Sequence, residues 1–217
     1  MRVSFLHFEI TIMGSLRSVS SLLLTTAFLL AGHGLHMTFL PLRAVELGMS
    51  TLLVGLSGSA YFAGFLTGAL MTPRIIANVG HIRSFTALMA TFVCSFLVLS
   101  LCDGGVLWIV VRFVLGTAMC GAYTVIESWL QAKVTNETRG RAMGSYRVVD
   151  VGASFVAQFM IGALADMETY IAYNALTILC CAAIFPLTLT KAEQPATPSA
   201  PRLRPALAWR ASPLAVA

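Results

Sequence analysis

The chain has 217 residues, of which 58% are hydrophobic and 11% charged; 14 basic and 9 acidic side chains give a formal net charge of +5. A soluble domain carries about 25% charged residues, and at a mean hydropathy of +0.84 this chain has too few to coat a water-facing surface. Disorder, a nucleic-acid module and a typical cytosolic enzyme are excluded, and lipid becomes the solvent for most of the chain.

Six apolar stretches are long enough to cross the hydrocarbon core, which takes about 20 residues at 1.5 Å rise. They cover 19–42, 52–72, 84–102, 106–131, 142–165 and 169–189. Every backbone donor must be satisfied inside lipid and barrel-type alternation is absent, so all six are expected as helices. The domain reading is a cytoplasmic segment over 1–17, a six-helix bundle over 18–190 and a Pro/Ala/Arg-rich cytoplasmic linker over 191–217.

Arg17 ahead of the first span imitates a signal peptide, but the apolar run to Leu42 is too long for a signal core. The first span carries His33 and His36 one turn apart. The second repeats small residues at Gly55, Ser59, Ala63 and Thr67, with Gly64 and Gly68 beside them, a pattern that lets helix backbones approach closely. Gly116 in the fourth span and Gly144, Gly152 and Gly162 in the fifth read similarly, as contact or flexing points.

Ser57, within Gly55-Leu56-Ser57-Gly58, imitates an intramembrane serine protease. That chemistry needs a His base on a later helix, and the predicted spans three to six contain none, so the chain is not read as an enzyme. Five cysteines, Cys94, Cys102, Cys120, Cys180 and Cys181, show no metal-ligand spacing and read as small packing residues. No metal and no cofactor is expected.

Orientation follows from the basic residues. With the N-terminus cytoplasmic, Arg2, Arg17, Arg74, Arg83, Lys133, Arg139, Arg141, Lys191, Arg202, Arg204 and Arg210 fall inside. Arg43 alone falls outside, and Arg112 and Arg147 lie within spans. This positive-inside bias places both termini in the cytoplasm. The tail, with Pro195, Pro198, Pro201, Pro205 and Pro213, cannot continue a helix, and 212–217 turns apolar again, as a seventh span would begin.

Ionisable groups inside hydrocarbon need a partner or a water-filled cavity. Arg112 stands about six residues, or ~9 Å, below the outer surface; His33 and His36, counted back from Pro41, reach about the same depth. A cation and two imidazoles on one cavity can bind an anionic or polar solute or carry a proton. The structural alternative for the histidines is hydrogen bonding to a neighbouring helix. Near the inner end, Glu127 of the fourth span and Arg147 of the fifth are expected to pair, with Asp150 on nearly the same face as Arg147. That group reads as a gate, a protonatable carboxylate or a structural clamp.

Two stretches carry a family resemblance. Gly68-Ala69-Leu70-Met71-Thr72-Pro73-Arg74 followed by Val79-Gly80-His81-Ile82-Arg83 resembles the loop between helices two and three of the major facilitator superfamily, GxLxDRxGRR. Gly68, Leu70, Arg74 and the Gly80-His81-Ile82-Arg83 block correspond, while the acidic residue of that loop is missing. Arg112 and Gly116 are similar to the superfamily's helix-four RxxxG motif, whose Arg is linked to substrate or proton coupling. Glu127-Ser128-Trp129-Leu130 with Arg139-Gly140-Arg141 resembles a poorly characterised bacterial branch.

The resemblance implies an all-α integral membrane protein, one six-helix half of a twelve-helix transporter with its solute site at the midplane. Helices one and four line the cavity in that fold, which would place His33, His36 and Arg112 on it. The expected function is secondary active transport of a small solute by alternating access, with protons as a candidate coupling ion, in a bacterial inner membrane. A missing C-terminal half or a second six-helix chain is the implied partner, besides the bilayer and the solute. The alternative is a non-transporting six-helix assembly or scaffold protein.

Overall fold

The computed structural model describes residues 2–101, 105–164, 167–189 and 195, with side chains described from Ser20 onward. Among them, seven helices run in the order α1 (Arg2–Glu46), α2 (Thr51–Val79), α3 (His81–Ser100), α4 (Val106–Lys133), α5 (Arg139–Leu164), α6 (Thr169–Ala182) and α7 (Ile184–Thr188). Six segments are long and apolar enough to cross a membrane, α6 and α7 together forming the last, Thr169–Thr188. The Pro-rich tail lies outside the described residues, Pro195 apart.

Several boundaries differ from the sequence reading, each for a local reason. Helix α1 is continuous from Arg2, with no break separating a segment over 1–17. It ends in a Schellman turn: Gly48 at φ 68° lets its N–H reach the Val45 carbonyl while the Met49 N–H reaches Ala44. Ser50 then caps α2 by accepting from the Leu53 N–H at 3.4 Å. The second predicted span stops at Thr72, ahead of Pro73, but α2 runs through that proline to Val79, as membrane helices tolerate when neighbours support the freed backbone. The turn is Gly80 alone, at φ 84°. Conversely, the last span is interrupted at Ala183, because Pro186 has no N–H to give the Ala182 carbonyl and its ring crowds that oxygen.

The core sits around α4, in which 61% of the most apolar 18-residue window is buried, against 6% for α5 and 22% for α2. Helix α3 contributes Phe85, Met89, Phe92, Phe96 and Leu99, an alternating four-three spacing that forms one buried stripe. Helix α4 lies between α2 and α3, α1 packs on α5, and α6 covers α1 and α3.

The closest approach is between α2 and α4. A Cβ at Gly64 would collide with the Phe113 backbone, one at Gly68 with the Thr117 carbonyl, and one at Gly116 with the Tyr61 carbonyl. Thr117 Oγ1 uses this proximity to donate to the Gly64 carbonyl at 3.0 Å. Gly64 and Gly68 thus form the small-residue seam. The companion stripe does not: Gly55 has nothing within 4 Å, and Ser59 and Ala63 are exposed. A Cβ at Gly144, Gly152 or Gly162 would likewise meet nothing within 4 Å among the described residues, so of their reading as contact or flexing points the contact half finds no partner there.

Candidate functional site

The seam between α2 and α4 gives the Arg-x-x-x-Gly spacing a physical meaning. Gly116 admits the Tyr61 backbone against α4, and Arg112 lies four residues earlier, one turn away on the same face. The Arg112 guanidinium carbon therefore sits 4.7 Å from the centroid of the Tyr61 ring, a cation–π contact. From α1, His36 completes the site: its Nε2 lies 3.1 Å from Arg112 Nη1. Arg112 is 3% exposed and His36 fully buried.

These contacts fix the His36 tautomer. A guanidinium only donates, so Nε2 must accept, and the ring proton stands on Nδ1. Nδ1 lies 3.2 Å from the His33 carbonyl, to which it donates. His36 also meets Tyr61 at 5.2 Å and, edge to face, Phe92 of α3 at 5.3 Å between ring centroids. His33 is half-buried; its Nδ1 is 3.3 Å from the Tyr61 hydroxyl, and Tyr123 of α4 stands edge-on 5.5 Å from its ring. Four helices thus meet at the His36–Arg112 cluster. Among the described residues no carboxylate lies within 4.0 Å of it, and its Nε has no hydrogen-bond partner.

The cluster is packed rather than open. One cleft among the described residues runs between α1, α5 and α6, lined by Phe39, Arg43, Glu46, Ile161 and Leu164, away from Arg112. Another is a shallow apolar depression on α5 at Val148, Val151 and Phe155.

The expected Glu127–Arg147 bridge does not form. Arg147 Nη1 turns along its own helix to Asp150 Oδ2 at 2.8 Å, with 75% of the Arg147 side chain exposed. Glu127 instead accepts from the Tyr146 hydroxyl at 3.2 Å, so α4 and α5 are joined by a tyrosine rather than an ion pair. The i, i+3 spacing makes the local pair geometrically cheaper than an interhelical one. Further up α5, the Gln158 side chain and Thr38 of α1 exchange hydrogen bonds at 3.3–3.4 Å.

The loop motif is mostly helical. Gly68 is in the seam, Arg74 and Arg83 are exposed, and Gly80 supplies the turn. His81 opens α3 at 2% exposure, its ring 5.8 Å from Trp129. Ser57 donates to the Val54 carbonyl at 3.0 Å. Among the described residues no three His, Cys, Asp or Glu side chains converge to hold a metal ion. Sequence reading missed Tyr61, Tyr123 and Tyr146. Tyr61 and Tyr123, well inside apolar spans rather than in the interfacial belts, carried the available signal; Tyr146, near the inner end of the fifth span, carried none.

A six-helix membrane bundle built on an Arg-x-x-x-Gly helix crossing defines the class, and the comparisons define it further. The chain matches the Major Facilitator Superfamily profile over residues 22–215, and it belongs to that family. It is 32% identical over 154 residues to the uncharacterized MFS-type transporter YcaD of Escherichia coli O139:H28, an alignment covering 71% of this chain and 40% of that protein. YcaD of Escherichia coli O157:H7 matches to the same extent. The POT family transporter PepTSo shares the fold, with a TM-score of 0.67 at 15% identity over 87% of this chain and 40% of that one. The chain thus spans about 40% of the length of these relatives. It is a multi-pass membrane protein of a transporter family.

Proposed function

We propose that the chain is the N-terminal half of a secondary active transporter that moves a small solute by alternating access, with the solute route passing His33, His36, Tyr61 and Arg112. The observation that carries this reading is Arg112, 3% exposed and without a carboxylate within 4.0 Å among the described residues. A structural cation inside a membrane is usually paired in place with an acid or with backbone carbonyls. A guanidinium held by an imidazole nitrogen and an aromatic face keeps its charge available to a partner that comes and goes.

The sparsely covered helices α2 and α5 are the faces on which a second six-helix bundle, a C-terminal half or another chain, would rock. The distribution of basic residues supports cytoplasmic termini in a bacterial inner membrane. The histidine pair supports protons as the coupling ion.

Expression of the chain together with the coding sequence that follows it, in cells whose solute fluxes are profiled, tests the reading. Flux of one solute class, abolished by Arg112→Ala in a protein that still inserts, is expected. Unaltered flux in that variant removes Arg112 from the route, and no flux of any class overturns transport.

A further inference from the structure

The His36–Arg112 contact does more than hold a side chain. His36 has two ring nitrogens, and both are committed: Nδ1–H donates to the His33 carbonyl at 3.2 Å, and Nε2 accepts from Arg112 Nη1 at 3.1 Å. An imidazole has no third nitrogen to take a proton. If a proton added to Nε2, two donors of like charge would face each other at the present separation, so the guanidinium would have to leave.

We propose that His36 Nε2 is a proton-binding site for which a proton and Arg112 compete, so that each occupant excludes the other. The proposal rests on the reading of this cluster as the transport site and assigns its regulation. The proton balance is simple. One proton, taken from water, forms the Nε2–H bond; the Arg112 Nη1–H···Nε2 hydrogen bond breaks; Nδ1–H stays on the His33 carbonyl. No other group changes its protonation.

The surroundings of His36 are consistent with one added proton and no more. On α1, His33 stands 5.6 Å away between ring centroids, and on α2 the Tyr61 ring is 5.2 Å away. Helix α3 offers Phe92, which does not titrate, and α4 offers Arg112 itself, with Tyr123 against His33. From α5, the Asp150 charge interacts with His33. No carboxylate among the described residues hydrogen-bonds to the cluster, so imidazolium at both histidines would set three positive charges together with only the Asp150 charge to offset them. His33, half-buried and joined to the Tyr61 hydroxyl, is the way in for the proton, since His36 has no exposed surface.

Competition at one nitrogen has a consequence for coupling. Any solute group that draws Arg112 away, an anionic oxygen foremost, raises the proton affinity of His36 by the factor by which the proton raises affinity for that solute. Solute and proton would then bind together, with Arg112 as the element that reports one to the other.

The test needs no solute. The 217-residue chain, labelled with nitrogen-15 histidine and reconstituted in lipid nanodiscs, is followed by NMR against pH, the His36 signals being identified by their loss in His36→Gln. At neutral pH His36 is expected as the Nδ1–H tautomer. In Arg112→Gln its proton affinity is expected to be at least tenfold higher than in the native chain, whereas Arg112→Lys, which keeps a cationic donor, stays closer to native. An Nε2–H tautomer in the native chain, which requires no variant to fold, overturns the proposal, as does equal proton affinity with and without the guanidinium. The tautomer and the tenfold gain without solute flux in the assembled protein would leave this competition standing and remove the transport reading. Flux with unchanged proton affinity would do the reverse.

Discussion

Replacing Gly116 by alanine tests the seam on which the site depends. The added methyl would meet the Tyr61 carbonyl and the Phe65 N–H, which are backbone atoms and cannot swing aside as a side chain can. To restore van der Waals contact α2 and α4 must part by about 1 Å, and overpacking of this kind costs about 1–3 kcal/mol. The Thr117–Gly64 hydrogen bond, 3.0 Å long across the same crossing, would be lost with it, at about 0.6 kcal/mol by the average for membrane helices. At about 2–4 °C per kcal/mol for a chain of this size, the melting temperature should fall by roughly 3–14 °C.

With Cys94, which is exposed, and Cys181, which is half-buried, replaced by alanine in every variant, a thiol-reactive dye suits the measurement, because Cys120 and Cys180 are buried and become reactive only on unfolding. Gly152→Ala is the control: nothing lies within 4 Å of its added methyl, and the gain in helix propensity makes it neutral or slightly stabilising in the isolated chain. If Gly116→Ala melts with Gly152→Ala, the backbone contact between α2 and α4 does not exist as described. The same 1 Å would also carry the Tyr61 ring off Arg112, so a stable Gly116→Ala protein should still lose flux.

Other expectations separate the polar contacts. A double-mutant cycle with Glu127→Gln and Tyr146→Phe should give a coupling of about 0.5–1.5 kcal/mol in thermal stability, whereas Glu127 with Arg147→Gln should give none; the reverse result would restore the ion pair. Asp150→Asn, which breaks an i, i+3 pair whose Arg147 side chain is 75% exposed, should move stability by less than about 0.5 kcal/mol, read by the same melting assay. Reporter fusions after Lys133 should leave a fluorescent protein bright and alkaline phosphatase inactive, and active phosphatase there would invert the proposed orientation.

Much of the fold was legible because the bilayer imposes one rule per segment: about 20 apolar residues in a row cross as a helix. Boundaries were less so. The predicted second span ends just before Pro73, yet α2 continues through it, while Pro186 does interrupt the final span. Proline removes the same hydrogen bond in both places. Whether the helix survives depends on what packs around it, and a one-dimensional pattern holds no record of that.

At the candidate site, depth counting brought His36 and Arg112 to one level, 76 residues apart in the chain. It could not choose rotamers or partners, so it joined Glu127 to Arg147 by charge alone and passed over Tyr61 and Tyr146.

The amino-acid sequence by itself determined the solvent of this protein, the number of its crossings and which few polar groups had to be accommodated in lipid, because hydropathy and helical rise are properties of each segment alone. Only the tertiary structure decided which of two small-residue stripes on α2 faces α4, that Arg112 rests on Tyr61 and His36 rather than on an acid, and that Arg147 turns to Asp150. Those outcomes depend on the rotation of one helix against another. Rotation is set by steric contact between residues distant in sequence, above all where the missing side chains of Gly64, Gly68 and Gly116 let two backbones touch.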